Sequence, residues 1–460
     1  MKLKKRIASL ALACVMAVGL LTVPAGASGS SPESTDRADK LASLGLFQGT
    51  GSGYQLDGDT TRIQGLVMLL RLLGLEDEAL AYTEPTHFTD VGWGAEYVAY
   101  AYDNGLTNGA TETTYEPLEP CSAQMYAAFL LRALGYSDAA DGDFTYAGAL
   151  DFGRSIGLVD IANCSETNFL RDHVAAMSLT ALHTAVKGDA GTNLLEKLVD
   201  DGAVDAEAAA GMLDFFASYD SYTAAVANMN KQSRMDVSVD MTADVSMSGQ
   251  SVMQLSMPME MQMAMDLDDL DQSQIAAAAS MTLTVDEALV EEGEASVTDL
   301  PVSYYYTDGV YYMDMDGQKI KMALSFDEAL AQMGGMDAMQ STEPICLIDS
   351  IETAGDTITI TYSGEGMSAL VDSMLASMGM EAEGMEMQLG DMTYTVQLKD
   401  GAVTSMQIAM QAAMEAEGVP MTMDMAMEMT VNATGDDVTV SIPDDLTGYT
   451  DLEDLMQAEA

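Results

Sequence analysis

The chain has 460 residues, enough for two or three domains, and its 73 acidic against 18 basic side chains give a formal net charge of −55. That charge excludes nucleic acid as a natural partner, because phosphate binding needs a cationic surface. It suits solubility and mutual repulsion on a crowded surface, and without an Asp-x-Asp-x-Asp-Gly loop its carboxylates imply only weak, diffuse divalent-cation binding.

The chain opens with Lys2, Lys4, Lys5 and Arg6, an apolar run from Ile7 to Val23, and Ala25-Gly26-Ala27. A charged head, apolar middle and small-x-small end predict a signal peptide over residues 1–27, cleaved after Ala27. An uncleaved anchor is the rival, since the run approaches spanning length; Pro24 and the Ala-x-Ala site favour cleavage. Cys14 lies inside the apolar run rather than at its end, which argues against lipidation. Cys121, Cys164 and Cys346 remain after cleavage; odd in number and scattered, they predict neither a disulfide framework nor a zinc site.

Three units follow, over residues about 38–74, 88–136 and 144–187, each reading helix, glycine turn, helix. The first carries Leu44-Gly45-Leu46-Phe47, Gly53-Tyr54 and Thr61-Arg62-Ile63-Gln64. The second carries Phe88-Thr-Asp90-Val91, Trp93, Gly105-Leu106, Gly109, Tyr115-Glu-Pro117 and Leu130-Leu131-Arg132-Ala133-Leu134-Gly135. The third, weaker, carries Gly157-Leu158 and Phe169-Leu170-Arg171-Asp172. One such hairpin cannot bury its own apolar face, so the three are expected to share a core. The Gly-Leu pairs fit helix C-terminal caps, and Thr61 and Asp172 stand where N-caps are wanted.

Residues 36–187 resemble S-layer homology (SLH) repeats, most fully in the second unit. The resemblance implies a three-lobed helical domain whose grooves hold an anionic cell-wall polysaccharide, often bearing pyruvate ketals. Family binding residues lie at the Thr-Arg-Ala-Glu helix start and the Gly-x-x-Gly turn. They map onto Thr61, Arg62 and Gln64 in the first unit and onto Arg171 in the third. The second unit reads Cys121-Ser122-Ala123-Gln124 there and lacks the arginine. Trp93 offers a sugar a flat face, although a core position is the default for tryptophan, and Gly105 and Gly109 permit close backbone approach. Arg62 and Arg171 either pair with nearby acids or hold the ligand. Cations are scarce here, and a planar guanidinium fork suits a carboxylate, so the ligand reading leads.

Residues 189–230 are expected to form a helical connector, and after Arg234 the period changes to two. Met257 to Met265 and Met421 to Met429 are methionine at every second position, as in strands with one apolar face. Asp308-Gly309, Asp316-Gly317 and Asp400-Gly401 read as hairpin turns, and helices are expected near 326–333 and 367–378. The expected fold class is thus multidomain, α plus α+β: an all-α three-repeat front, then a curved, mostly antiparallel β-sheet over 231–450 with a few covering helices, and an acidic tail at 451–460. The sheet weakly resembles LolA-like and LppX/LprG-like secreted lipoprotein domains, which implies a cradle for a lipid or other apolar ligand. Met-x-Met spacing also occurs at Cu(I) sites, but here it equals the strand period and histidine is nearly absent, so packing or groove lining accounts for it.

With only His87, His173 and His183 and no catalytic motif, neither an enzyme, a cofactor nor a metal site is expected. The sequence describes a secreted protein attached non-covalently to the wall of a Gram-positive-type cell, displaying a ligand-binding or structural sheet. The alternative is a carrier or sensor of apolar ligands whose front repeats no longer bind sugar.

Overall fold

The computed structural model describes residues 35–160, 162–266, 269–290, 296–326, 344–364, 386–416 and 419–452. The signal peptide lies outside the described residues, as do the two helices expected within the sheet domain and the acidic tail, except for Phe326, Asp451 and Leu452.

The front is helical. Helices α1 (Asp36–Ser43) and α2 (Arg62–Leu72) form the first hairpin, with the short α3 (Glu76–Leu80) after it. Helices α4 (Ala95–Asp103) and α5 (Ala123–Ala133) form the second; α6 (Ala149–Ser155) and α7 (Arg171–His183) form the third. The first helix of each pair stops at a glycine in the left-handed region: Gly45 at φ +75°, Gly105 at +73° and Gly157 at +74°. The leucine after each glycine turns inward, and Leu46, Leu106 and Leu158 are all buried. The second helices are the centre of the unit. Leu66, Leu69, Leu130, Leu131, Val174 and Leu179 are wholly buried, and Tyr126 of α5 meets Ser178 of α7 hydroxyl to hydroxyl at 2.7 Å.

The connector begins with a hairpin that the sequence reading did not include, β1 (Ala185–Val186) with β2 (Asp189–Asn193). It continues as α8 (Leu194–Asp200) and α9 (Ala206–Asn230), capped by the side chains of Asn193 and Asp205. Helix α9 lies on the sheet: the rings of Tyr222 and Tyr394 are 5.9 Å apart, edge to face, and Thr353 donates to Ser218 Oγ at 3.0 Å.

The sheet has 12 strands: β3 (Arg234–Met247), β4 (Gln250–Ala264), β5 (Gln274–Val285), β6 (Val297–Thr307), β7 (Val310–Met315), β8 (Gln318–Ala323), β9 (Ile348–Ala354), β10 (Thr357–Tyr362), β11 (Glu386–Lys399), β12 (Ala402–Ala416), β13 (Val419–Thr434) and β14 (Thr450–Asp451). Their order is 14-8-7-6-5-4-3-13-12-11-10-9, antiparallel except for the two-residue β14 against β8. Two meanders therefore meet where β3, the first long strand, pairs with β13, the last. The expected turns are present: Asp308-Gly309, Asp316-Gly317 and Asp400-Gly401 all have positive φ at both residues, the two-residue hairpin geometry. Ser248-Gly249 is a fourth turn of this kind.

The period of two divides the central sheet into two faces. Met235, Val237, Val239 and Met241 of β3 and Met421, Met423, Met425 and Met427 of β13 are buried on one, the methionine face. Asp240, Asp244, Asp424 and Glu428 lie on the other, the polar face. One buried apolar cluster runs from Leu41 through Leu70 and Phe216 to Val396 and Met423, so the helices and the methionine face share a core.

Candidate functional site

The first backbone N–H groups of a helix have no partner within it. Here another repeat supplies one. Arg62 N–H donates to Glu119 O at 2.8 Å and Ile63 N–H to Pro117 O at 3.1 Å. The third repeat repeats the construction on the first: Arg171 N–H donates to Gly58 O and Asp172 N–H to Leu56 O, both at 3.0 Å. Each helix start is thereby welded to the aromatic-led loop of a neighbour.

The side chains at these starts follow the same plan. Arg62 Nη2 donates to Asn108 O at 2.7 Å, and its guanidinium lies 4.5 Å from the Tyr115 ring centre. Arg171 Nη2 donates to Gln48 O at 3.1 Å, with the Phe47 ring centre 5.4 Å away. Asn108 and Gln48 occupy equivalent places, three residues beyond the left-handed Gly105 and Gly45. The other front arginines, Arg37, Arg71, Arg132 and Arg154, each pair with a carboxylate; among the described residues Arg62 and Arg171 do not. The Nε–H of each is buried and without a hydrogen-bond partner. Burial, then the nearby charge of Arg71, pulls Arg171 below the usual arginine range.

The segments that meet the start of α2 carry exposed apolar side chains. Trp93 is 63% exposed and Leu118 is 78% exposed, which overturns the core position expected by default for the tryptophan. Gly94, at φ +77°, is the reason: a Cβ there would lie 2.7 Å from Ile63 Cδ1, so the backbone seats against α2 and turns its neighbour outward. Asp90 shapes the rim, its carboxylate accepting from the N–H groups of Tyr115 and Glu116, both at 2.8 Å. Thr61 caps α2 in extended conformation, and its N–H donates to Gln64 Oε1 at 2.8 Å, so Thr61 and Gln64 set the helix start. Gly105 is an open turn residue, but Gly109 is closed: a Cβ would lie 2.3 Å from Thr111 O and 2.4 Å from Phe88 Cε1, which removes it as a point of ligand approach.

The second repeat differs. Ser122, not Cys121, caps α5, accepting from Met125 N–H at 3.2 Å, so the arginine position falls on Ala123, one residue later than motif matching placed it. Gln124 Nε2 donates to Tyr146 O at 2.9 Å, and the facing turn carries Asp160, which burial pushes above the usual carboxylate range. This start has Ala123 where its two counterparts have an arginine, and Asp160 where they face Asn108 and Gln48. Asp172 is likewise not an N-cap. Its buried carboxylate lies 3.2 Å from Arg37 Nη1, and the cap position belongs to Leu170, whose N–H donates to His173 Nδ1 at 2.9 Å.

A separate depression of about 730 Å³ lies on the polar face of the sheet, lined by Thr242, Asp244, Gln254, Thr282, Gln411 and Asp424 among others. Asp244 and Asp424 are directly opposite in register, and each accepts from a glutamine amide, Gln254 at 2.8 Å and Gln411 at 2.6 Å. The alternating methionines, expected to pack in a core or line a groove, are on the other face, although Met410 and Met425 also border the depression.

Residues 219–448 match a family described as a family of unknown function, DUF6612. A "Cell surface protein" of Thermoanaerobacter kivui is 31% identical over 137 residues, 29% of this chain; the chain spans only 18% of that protein's length. A solved DUF1329 family protein from Desulfovibrio piger aligns over 49% of this chain and 95% of its own, at 8% identity and a TM-score of 0.15. A solved "putative AttH" from Nitrosomonas europaea aligns over 44% of this chain and 53% of its own, at 10% identity and the same TM-score of 0.15.

Proposed function

We propose that this chain, which belongs to the DUF6612 family, is a surface protein held at the cell envelope by an anionic polysaccharide seated at Arg62 and Arg171. One observation carries the reading. In a protein of net charge −55, two guanidinium groups at equivalent helix starts make no close ion pair among the described residues, Arg62 having only the longer-range attraction of Asp90. A guanidinium that no carboxylate neutralises suits the carboxylate of an anionic ligand, which its planar fork can pair with. Exposed Trp93 and Leu118, each next to a residue that packs on Ile63, supply apolar surface on which a sugar ring can stack. The resemblance to SLH repeats supplies the polymer class, and the name of the Thermoanaerobacter kivui relative agrees with the compartment. Ala123 and Asp160 leave the remaining start without a cation, so two positions act, not three. No residue is assigned a catalytic role.

The test is co-sedimentation of the full chain with purified wall polysaccharide, comparing wild type with Arg62→Ala/Arg171→Ala. Retention of the wild type and release of the variant are expected. Equal behaviour of the two, bound or unbound, rejects the reading.

A second reading, carriage of an apolar ligand by the sheet, rests on the outer part of the methionine face, where Met313 is 40% exposed and Met322 is 38% exposed. Mass spectrometry of lipid extracted from the purified protein tests it. The depression on the polar face does not support it, since threonine, glutamine and aspartate do not suit an acyl chain.

A further inference from the structure

Methionine fills five successive inward positions of β13, Met421 to Met429, and four of β4, Met257 to Met263. Strand preference favours branched Val or Ile there, and ordering an unbranched side chain costs more entropy. Adaptable contact with an apolar ligand explains methionine only where a ligand reaches it. Met423 is 1% exposed, Met425 6%, and Met241 and Met427 7% each, beneath the helices. What distinguishes these side chains from isoleucine at such depth is the thioether sulfur.

Register brings three of them into one row. Met427 of β13 is opposite Met241 of β3, which is opposite Met257 of β4. Side chains directly opposite on one face begin about 5 Å apart, so the long, flexible side chains of this three-strand row have a common point within reach. Met425 and Met429 flank the row on β13, and Met259 flanks it on β4. Thioethers are soft donors that select Cu(I) over hard cations. Among the described residues no cluster of three or more His, Cys, Asp or Glu offers a competing site.

The polar face supplies an independent observation. Asp240 and Glu428, the sequence neighbours of Met241 and Met427, are directly opposite each other behind the row. Like charges so placed destabilise a sheet. Both carboxylates are exposed to solvent, as part of an acidic face that also sets Asp244 opposite Asp424, so their screened field favours a cation among the sulfurs only modestly.

We propose that Met241, Met257 and Met427 form a three-thioether site for Cu(I), backed electrostatically by Asp240 and Glu428. The test is anaerobic titration of the full chain against bathocuproine disulfonate loaded with Cu(I). The wild type withdraws one equivalent. Met241→Leu/Met257→Leu/Met427→Leu, a swap that conserves volume, competes at least tenfold less well, and Asp240→Asn/Glu428→Gln several-fold less well. Met313→Leu/Met322→Leu matches the wild type. A wild type that leaves all copper with the chelator overturns the proposal, as does a triple variant that competes equally, since the three buried thiols persist in it. Should circular dichroism show the triple variant unfolded, half-buried Met257→Leu alone is read, and unchanged affinity there is equally decisive against. X-ray absorption of the copper-loaded protein must show a sulfur first shell; an oxygen or nitrogen shell rejects the site.

Discussion

Replacing Arg37 by methionine isolates what the buried ion pair between α1 and α7 contributes. The Asp172 side chain is wholly buried and that of Arg37 is 4% exposed, with Nη1 and Oδ2 at 3.2 Å and no aligned hydrogen bond. Burial pushes the Asp172 carboxyl up to about 6 from an ordinary 3.8, with Arg37 pulling the other way. At about 1.4 kcal/mol per pKa unit that rise opposes the fold by about 3 kcal/mol at neutral pH. The native state holds this proton more tightly than the unfolded chain, so the penalty grows as pH rises from 3.8 through about 6 and is constant above. His173 runs the opposite way. Burial, then Arg37, lowers it to about 4, so its contribution is present above an ordinary 6.5 and is lost as pH falls towards 4. In the wild type the two neighbours nearly cancel.

Arg37→Met removes the attraction and leaves the carboxylate stranded, which costs about 3–5 kcal/mol at about pH 7.5. At about pH 5 the stranded group takes a proton and His173 is relieved of a neighbouring charge, so the cost falls by roughly half. Urea unfolding followed by far-ultraviolet circular dichroism at both pH values measures this. Arg37→Met/Asp172→Asn should recover most of the loss. A cost below about 1 kcal/mol at about pH 7.5, or one undiminished at about pH 5, refutes the assignment of a stranded charge.

Four further outcomes are expected. Trp93→Ala, at a side chain 63% exposed, lowers polysaccharide retention in the co-sedimentation assay and leaves the urea midpoint within about 0.5 kcal/mol of wild type. Gly109→Ala drives a methyl group into Thr111 O and the Phe88 ring and costs about 1–3 kcal/mol by the same unfolding measurement. Met423→Ala, at a position 1% exposed, costs about 2–5 kcal/mol, whereas Met322→Ala, 38% exposed, costs less than about 1. Asp90→Ala frees the N–H groups of Tyr115 and Glu116, and hydrogen exchange at those two amides speeds up while that of the α2 interior does not.

Much of the architecture was legible because local chemistry wrote it. Alternating methionine fixed β4 and β13, the Asp-Gly pairs fixed three hairpins, and the glycines at 45, 105 and 157 fixed where helices end. The motif also placed Arg62 and Arg171 at helix starts, and each is the first residue of its helix. What failed depended on distant partners or on one-residue register. Asp172 looks like a cap in sequence, yet Leu170 occupies the cap while Asp172 turns inward to Arg37. Alignment set Cys121 at the place of Thr61, but the hydroxyl of Ser122 does the capping, and N-cap chemistry alone distinguishes them. Tryptophan is buried by default, and only the seat of Gly94 on Ile63 reveals that Trp93 faces out. The acceptors of the two guanidinium groups, Asn108 O and Gln48 O, are backbone atoms whose identity leaves no trace in side-chain pattern.

The pairing of β3 with β13 sets Met235 opposite Thr434, almost two hundred positions along the polypeptide. Neither meander can be zipped to the other until the second has been synthesised, and closing so long a loop early is entropically unfavourable. The helical front, whose welds all fall between residues 56 and 172, has no such wait. It can mature while the remainder is still being made, and the sheet then assembles late, onto a partner that is already rigid.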